Sequence, residues 1–202
     1  MDKTHNPQDD VFLIINGKPK RVVPYDLSER ETKQEIKSIT FDGNYLTTIA
    51  QDKNGVKITQ RLPAVSGKPQ NGFFDYSPQR QQEKDQGPVP EGEYIINPQK
   101  IDRPTPLDKI IGVVGSGWLF GKKFGAYPGG EFAWGNCRTN INQTPKQKEE
   151  SGRSGFFIHG GTTPGSKGCI DLLDKDVEFC NFIEKYRGKN QKAAPLIVKY
   201  KK

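Results

Sequence analysis

The chain is poor in the residues that build metal sites and disulfide scaffolds: its 202 residues hold three cysteines and two histidines. There is no C-x-x-C pair and His159 has no second histidine near it, so neither a zinc site nor any other metal or cofactor is expected. Three thiols cannot all pair within one chain, which excludes a disulfide framework. A cytoplasmic start argues against even one bridge, whereas a periplasmic destination permits it. Long apolar runs are missing too. The longest, Val11 to Ile15 and Ala193 to Val198 with Pro195 inside it, fall far short of the roughly 20 residues that cross a bilayer, so no membrane insertion is expected. The opening stretch, Met1 to Asp10, lacks the basic start and apolar core of a secretory signal, which predicts synthesis in the cytoplasm without one.

Nucleotide signatures fail in the same way. Gly160 to Gly165 is followed by Ser166-Lys167, the reverse of the order a phosphate loop requires. In Gly115 to Gly121, Phe120 stands where the third glycine of a dinucleotide fingerprint belongs. No nucleic-acid motif accompanies the aromatic residues between Trp118 and Trp134, which read as core or groove wall.

What is present supports one real core. Eleven Phe, seven Tyr and two Trp supply large apolar surface, and 22 Gly with 15 Pro stay below the content of a low-complexity chain. Disorder and coiled coil are poor fits, and the length suits one domain with a short extension. The formal charge of +7 is unevenly placed: residues 1–101 carry 14 basic and 14 acidic groups, so the whole excess lies beyond them. A basic half attracts nucleic acid, anionic lipid or an anionic wall polymer alike, and it serves equally as a solvated face with a lysine tail.

Turn dipeptides punctuate many short strands. Val11 to Ile15 and Arg21 to Val23 flank Asn16-Gly17 as a hairpin, and Asn44 to Ile49 with Val56 to Thr59 flank Asn54-Gly55 as a second. Glu29 to Lys37 reads as a short helix capped by Ser28. The polar runs Ser77 to Gln86 and Asn142 to Arg153 read as surface loop. Gly155 to His159 reads as a strand that delivers His159 to its end. A late helix follows, with Asp174 as N-cap, Gly188 beyond its end, and Leu173, Val177, Cys180 and Ile183 along one face. Pro195 to Tyr200 closes the chain as a strand. Strands outnumber helices, so the fold class is mainly β, a sandwich or barrel with one late helix.

Imidazole chemistry falls to His159, because His5 lies in a polar tail. Cys169 follows ten residues later, across a loop containing Gly160, Gly161, Gly165 and Gly168, and a returning strand would bring the two side chains together. An imidazolium about 4 Å from a thiol is worth up to about 4 kcal/mol at an effective dielectric of 20, enough to lower the thiol pKa by about two units. The amides of Gly168 and Cys169 are natural oxyanion donors, and Ser166 is placed to donate or to orient the ring. A buried thiol beside a structural histidine fits the same residue types. Cys180 reads as core on its helix stripe, and Cys137 is undecided.

The string Phe157-Ile158-His159-Gly160-Gly161, followed by Gly165-Ser166-Lys167-Gly168-Cys169-Ile170-Asp171-Leu172, resembles the His…Ser-x-Gly-Cys signature of the L,D-transpeptidase (YkuD-like) catalytic domain. The short spacing resembles the signal-less antibacterial effectors delivered by type VI secretion. Leu62 to Gly67, Gly87 to Tyr94, Trp134-Gly135 with Arg138, and Gly152 to Gly155 extend the likeness over Phe41 to Tyr200. Two features depart from the housekeeping pattern: Asp171 stands where Arg or Asn is common, and the loop is shorter, so their acceptor preferences are not carried over.

The resemblance implies a β-fold catalytic domain over 39–202 behind an extension of residues 1–38, and cysteine acyl transfer on peptidoglycan stem tetrapeptides. Cys169 would be the nucleophile and His159 the base, with Ser166 and Gly168 supporting them. Arg138, Arg153, Gly160, Gly161 and Trp134 would meet substrate. Loss of D-alanine would be followed by hydrolysis (L,D-carboxypeptidase) or by exchange or cross-linking (L,D-transpeptidase). Implied partners are a cognate immunity protein and a secretion-machine component, and the implied place of action is the periplasm of a target bacterium. A non-catalytic wall-binding β-domain is the alternative. A lysin-type amidase is disfavoured, because those enzymes place cysteine before histidine in the chain.

Overall fold

The computed structural model contains the first expected hairpin, with its second strand starting earlier, at Lys18. β1 (Val11–Ile15) runs antiparallel to β2 (Lys18–Val22), with Ile15 opposite Lys18. The structure describes residues 11–15, 18–22, 33–109, 127 and 130–201. Residues 1–32, which hold this hairpin, form one unit and residues 33–202 a second.

The second unit is built on β3 (Glu35–Phe41), β4 (Tyr45–Gln51) and β5 (Lys57–Pro63), successive antiparallel strands. Their turns are made by aspartates that accept from the backbone ahead of them. Asp42 Oδ1 takes the N–H of Asn44 (3.0 Å) and Tyr45 (2.8 Å), and Asp52 Oδ1 that of Asn54 (2.9 Å) and Val56 (2.8 Å). β6 (Val65–Ser66), α1 (Pro78–Gln82) and β7 (Gly92–Ile96) follow, then a helical turn at 106–109. Next come α2 (Gly130–Trp134), β8 (Arg138–Asn142), α3 (Pro145–Ser151), β9 (Phe157–His159) and β10 (Ile170–Asp171). A 3-10 turn (Leu173–Lys175), α4 (Asp176–Tyr186) and β11 (Ala194–Val198) complete the order.

Nine strands form one sheet in the order β5-β4-β3-β11-β7-β8-β9-β10-β6. Its two edge strands, β5 and β6, are joined by Ala64 alone, so their near ends lie within about 7 Å of each other. The sheet therefore curls back on itself into a nearly closed barrel, and the fold is mainly β with one long late helix. Phe41, Leu46, Ile96, Ile158 and Leu196 fill the interior, and α4 adds Phe179 and Ile183. Burial of each such side chain is worth about 1.5–3 kcal/mol.

Four local expectations change. Glu35 to Lys37 are strand, not helix: a β-bulge between Ile36 and Ser38 spaces buried Ile36 and Ile39 three apart, which mimics a helical period. Residues 29–32 lie outside the described ones. The run 77–86 contains α1, whose Arg80 and Gln81 are buried, Arg80 by donating to the Lys68 carbonyl (3.0 Å) and pairing with Glu83. The run 142–153 contains α3, closed at its start by a Thr144–Gln147 capping box and at its end by left-handed Gly152. Asp174 does not cap α4. It sits in the 3-10 turn, and α4 begins at Asp176, whose carboxylate accepts the N–H groups of Asn136 (2.6 Å) and Cys137 (2.8 Å).

Candidate active site

Three strands bring the site together. β9 ends on His159, β10 opens directly after Cys169, and the two run parallel with Ile170 opposite Ile158 and Asp171 opposite His159. The expected returning strand is thus a parallel one: the loop carries the chain back to the start of β9 instead of reversing it. Gly165 and Gly168, at φ 109° and 118°, allow that path. In register, parallel strands present matching residues to one face, so Phe157, His159, Cys169 and Asp171 share a side of the sheet. β8 adds Arg138 opposite His159 from the other flank. A row of Arg138, His159 and Asp171 therefore crosses three strands, with Cys169 one step down beside Phe157.

The thiol and the imidazole are both enclosed, 8% and 4% exposed. Cys169 Sγ accepts the N–H of Phe157 at 3.3 Å. Burial pushes its pKa up to about 11, and the neighbouring Asp171 charge adds to this, against the Phe157 hydrogen bond, Arg138 and Arg153. Burial also lowers the pKa of His159, opposed by the Gly160 carbonyl, Asp171 and Asp176 and reinforced by Arg138. Burial thus favours the neutral thiol over the thiolate and the neutral ring over the imidazolium. Desolvation therefore works against the expected imidazolium-stabilised thiolate, because it penalises both charges. His159 Nδ1 lies 2.5 Å from the Gly160 carbonyl, so the proton of the neutral ring belongs on Nδ1 and the Nε2 lone pair is the free base.

The supporting residues divide by what they touch. Ser166 Oγ donates to the Cys169 carbonyl (2.7 Å) and accepts the Gly168 N–H (3.3 Å); Gly160, not Ser166, orients the ring. The Gly168 N–H is thereby turned inward to Ser166 instead of offered to an oxyanion. A Cβ at Gly168 would strike the Phe156 ring at 2.8 Å and the Arg153 guanidinium. At Gly160 it would meet Asp176 Cγ and the Leu173 carbonyl at 2.5 Å. The Gly161 N–H donates to that same carbonyl (3.1 Å). A cavity of about 310 Å³ lined in part by Phe132, Asn136, Gly161, Thr162 and Asp176 opens beside this turn.

Trp134 stands with its ring 5.1 Å from that of His159 and 5.4 Å from that of Phe157. The Arg138 guanidinium lies over Tyr127 (3.9 Å) and Trp134 (4.7 Å), with Nε 3.5 Å from Asp102. Both residues are walls of the site. Arg153 is not placed as a substrate hook. Its guanidinium donates to the carbonyls of Gln81 (2.6 Å), Gly87 (2.7 Å), Pro88 (2.7 Å) and Lys167 (3.3 Å), bracing the segment before β7 against the loop before Cys169.

Sequence reasoning missed two things. Cys137 and Cys180 form a disulfide that ties the start of β8 to α4. Asp176 braces Asn136, Cys137 and the Gly160 turn, and its only trace in the sequence is an acid at the start of a helix. Among the described residues no cluster of His, Cys, Asp or Glu is placed to hold a metal, and no helix is long and apolar enough to cross a membrane.

These features define a mainly β domain with an enclosed histidine at the end of one strand and an enclosed cysteine at the start of its parallel neighbour, on one face of the sheet. Residues 60–196 match the Tlde1 domain, and the chain belongs to that family. No curated protein sequence matches the chain. A solved structure of Bd1075 from Bdellovibrio bacteriovorus is similar at 15% identity and a TM-score of 0.46, covering 85% of this chain and 49% of that one. The chain thus spans about half the length of that protein.

Proposed function

We propose that this protein is a type VI secretion effector, a peptidoglycan-directed cysteine acyltransferase acting on stem tetrapeptides, as an L,D-carboxypeptidase, an L,D-transpeptidase or both. The observation that carries the reading is the shared face of His159 and Cys169, with the ring anchored through Nδ1 so that Nε2 is left to take a proton. As the scissile carbonyl approaches, the Sγ proton passes to Nε2 and the sulfur bonds to the carbonyl carbon of the third, diamino acid residue. Collapse expels D-alanine, whose nitrogen takes the proton back from His159, leaving a thioester on Cys169. Water, deprotonated by the same ring, restores the thiol and frees the tripeptide; an amine in its place yields exchange or a cross-link.

Arg138 and Trp134, beside the ring, are the residues we assign to substrate, with the Gly160-Gly161 turn as the floor. The catalytic domain, expected over 39–202, would take in all of β3 and so begin with the unit at residue 33, leaving 1–32 as the extension. The buried Cys137–Cys180 bridge favours action in an oxidising compartment such as the periplasm, reached through the secretion machine and countered in the producer by an immunity protein. Incubation of the purified protein with muropeptides tests the reading: D-alanine is released from tetrapeptide by the wild type and not by a folded Cys169→Ala variant. An unchanged muropeptide profile with folded wild type defeats it.

A further inference from the structure

Asp171 is buried, 1% exposed, and is set directly beside His159 by the parallel register of β9 and β10. Neighbouring strands are about 4.8 Å apart, so the two side chains rise side by side from one face. The carboxylate is immobilised from both ends. Oδ2 accepts the N–H of Gly165, inside the loop between base and nucleophile, at 3.0 Å. Oδ1 accepts the N–H of Leu173 at 2.8 Å. A buried acid is costly unless its charge is used or compensated, and these two neutral donors compensate it only in part.

The charged groups around His159 come from three elements: Arg138 on β8, Asp171 on β10 and Asp176 on α4. Arg138 is a cation and Asp176 lies on α4 outside the sheet, so Asp171 is the anion whose position matches the ring along the strand. Catalysis as read above places a positive charge on this ring twice in each turnover, although the ring is buried in the folded chain.

We propose that Asp171 is a positioning residue for His159: its tethered carboxylate stabilises the ring in the protonated state reached while the Cys169 proton is in transit. The proposal rests on the reading of His159 as the base for Cys169. Asp171 does not touch substrate, and it acts through the ring while fixing the loop that carries the nucleophile. The direction of each group's influence agrees. Asp171 favours the charged form of His159, and His159 favours the charged form of Asp171.

The chain has only one other histidine, His5, so the titration of His159 is readable by NMR. In Asp171→Asn the ring titrates about one unit lower than in the wild type, a tenfold loss of proton affinity. The kcat for D-alanine release falls about 10- to 100-fold with KM little moved, and the acid limb of the rate profile moves down with the ring. Should the amide variant not fold, Asp171→Thr, whose hydroxyl still reaches the Leu173 amide, serves in its place. A fall in kcat with an unmoved titration would make the carboxylate a loop tie and overturn the proposal, as would an unchanged kcat. If the wild type releases no D-alanine, the enzymatic reading fails by itself. The titration then decides the link between Asp171 and His159: a downward shift upholds it and none removes it.

Discussion

At the scale of single residues, chemical type and role come apart most clearly at the arginines. Arg138 and Arg153 are both buried, yet one faces aromatic rings beside His159 and the other is spent on four main-chain carbonyls. Removing the second leaves buried acceptors unpaired, so Arg153→Ala should cost about 3 kcal/mol, read as a lower urea midpoint. Arg153→Lys should recover only a fraction, because an ammonium cannot fork to several carbonyls. A full-stability Arg153→Ala with a raised KM would instead restore Arg153 as a substrate contact. The thiol teaches a related lesson. Its spacing from His159 was legible in the sequence, but its protonation depends on how much water reaches it, and burial works against the charge that the spacing alone would favour.

At the scale of elements, hairpins and the closing strand could be read directly, because turn residues and apolar alternation are local. Two helices hid inside polar runs, α1 and α3, since their caps are local but their packing partners are not. The link between β8 and α4 lay beyond reach for the same reason: Cys137 and Cys180 are 43 residues apart and no local pattern pairs them. Closing a loop of that length stabilises a chain by about 4 kcal/mol in the chain-entropy account. Reductant should therefore lower the thermal midpoint of the wild type and leave a Cys137→Ser/Cys180→Ser double variant where it stands. Equal midpoints for the wild type with and without reductant would refute the bridge.

At the scale of the whole molecule, the buried phenols and the thiol set the response to alkali. Burial pushes Tyr76 and Tyr94 up to about 12, Tyr200 further in the same direction and Cys169 to about 11. Unfolded, a thiol loses its proton near about 8.5 and a phenol near about 10. Above those values the unfolded chain binds fewer protons than the folded one, so stability is complete below about pH 8.5 and falls as pH rises toward 12. Urea midpoints should be level near neutrality, then drop steeply between about pH 10 and 12, and Tyr76→Phe should soften the drop. A flat profile to pH 12 would contradict the burial of these groups.

The sequence by itself determined the strand-rich class and the local turns. It also determined the His159 and Cys169 loop with its glycines, because each of these depends on neighbours within about a dozen residues. The tertiary structure alone decided that β9 and β10 run parallel and that Arg153 braces where Arg138 faces the ring. It alone placed Asp171 beside His159 and joined Cys137 to Cys180. Each of those follows from which distant segments the curled sheet brings together and how completely it removes them from water, and neither quantity is written in any local stretch of chain.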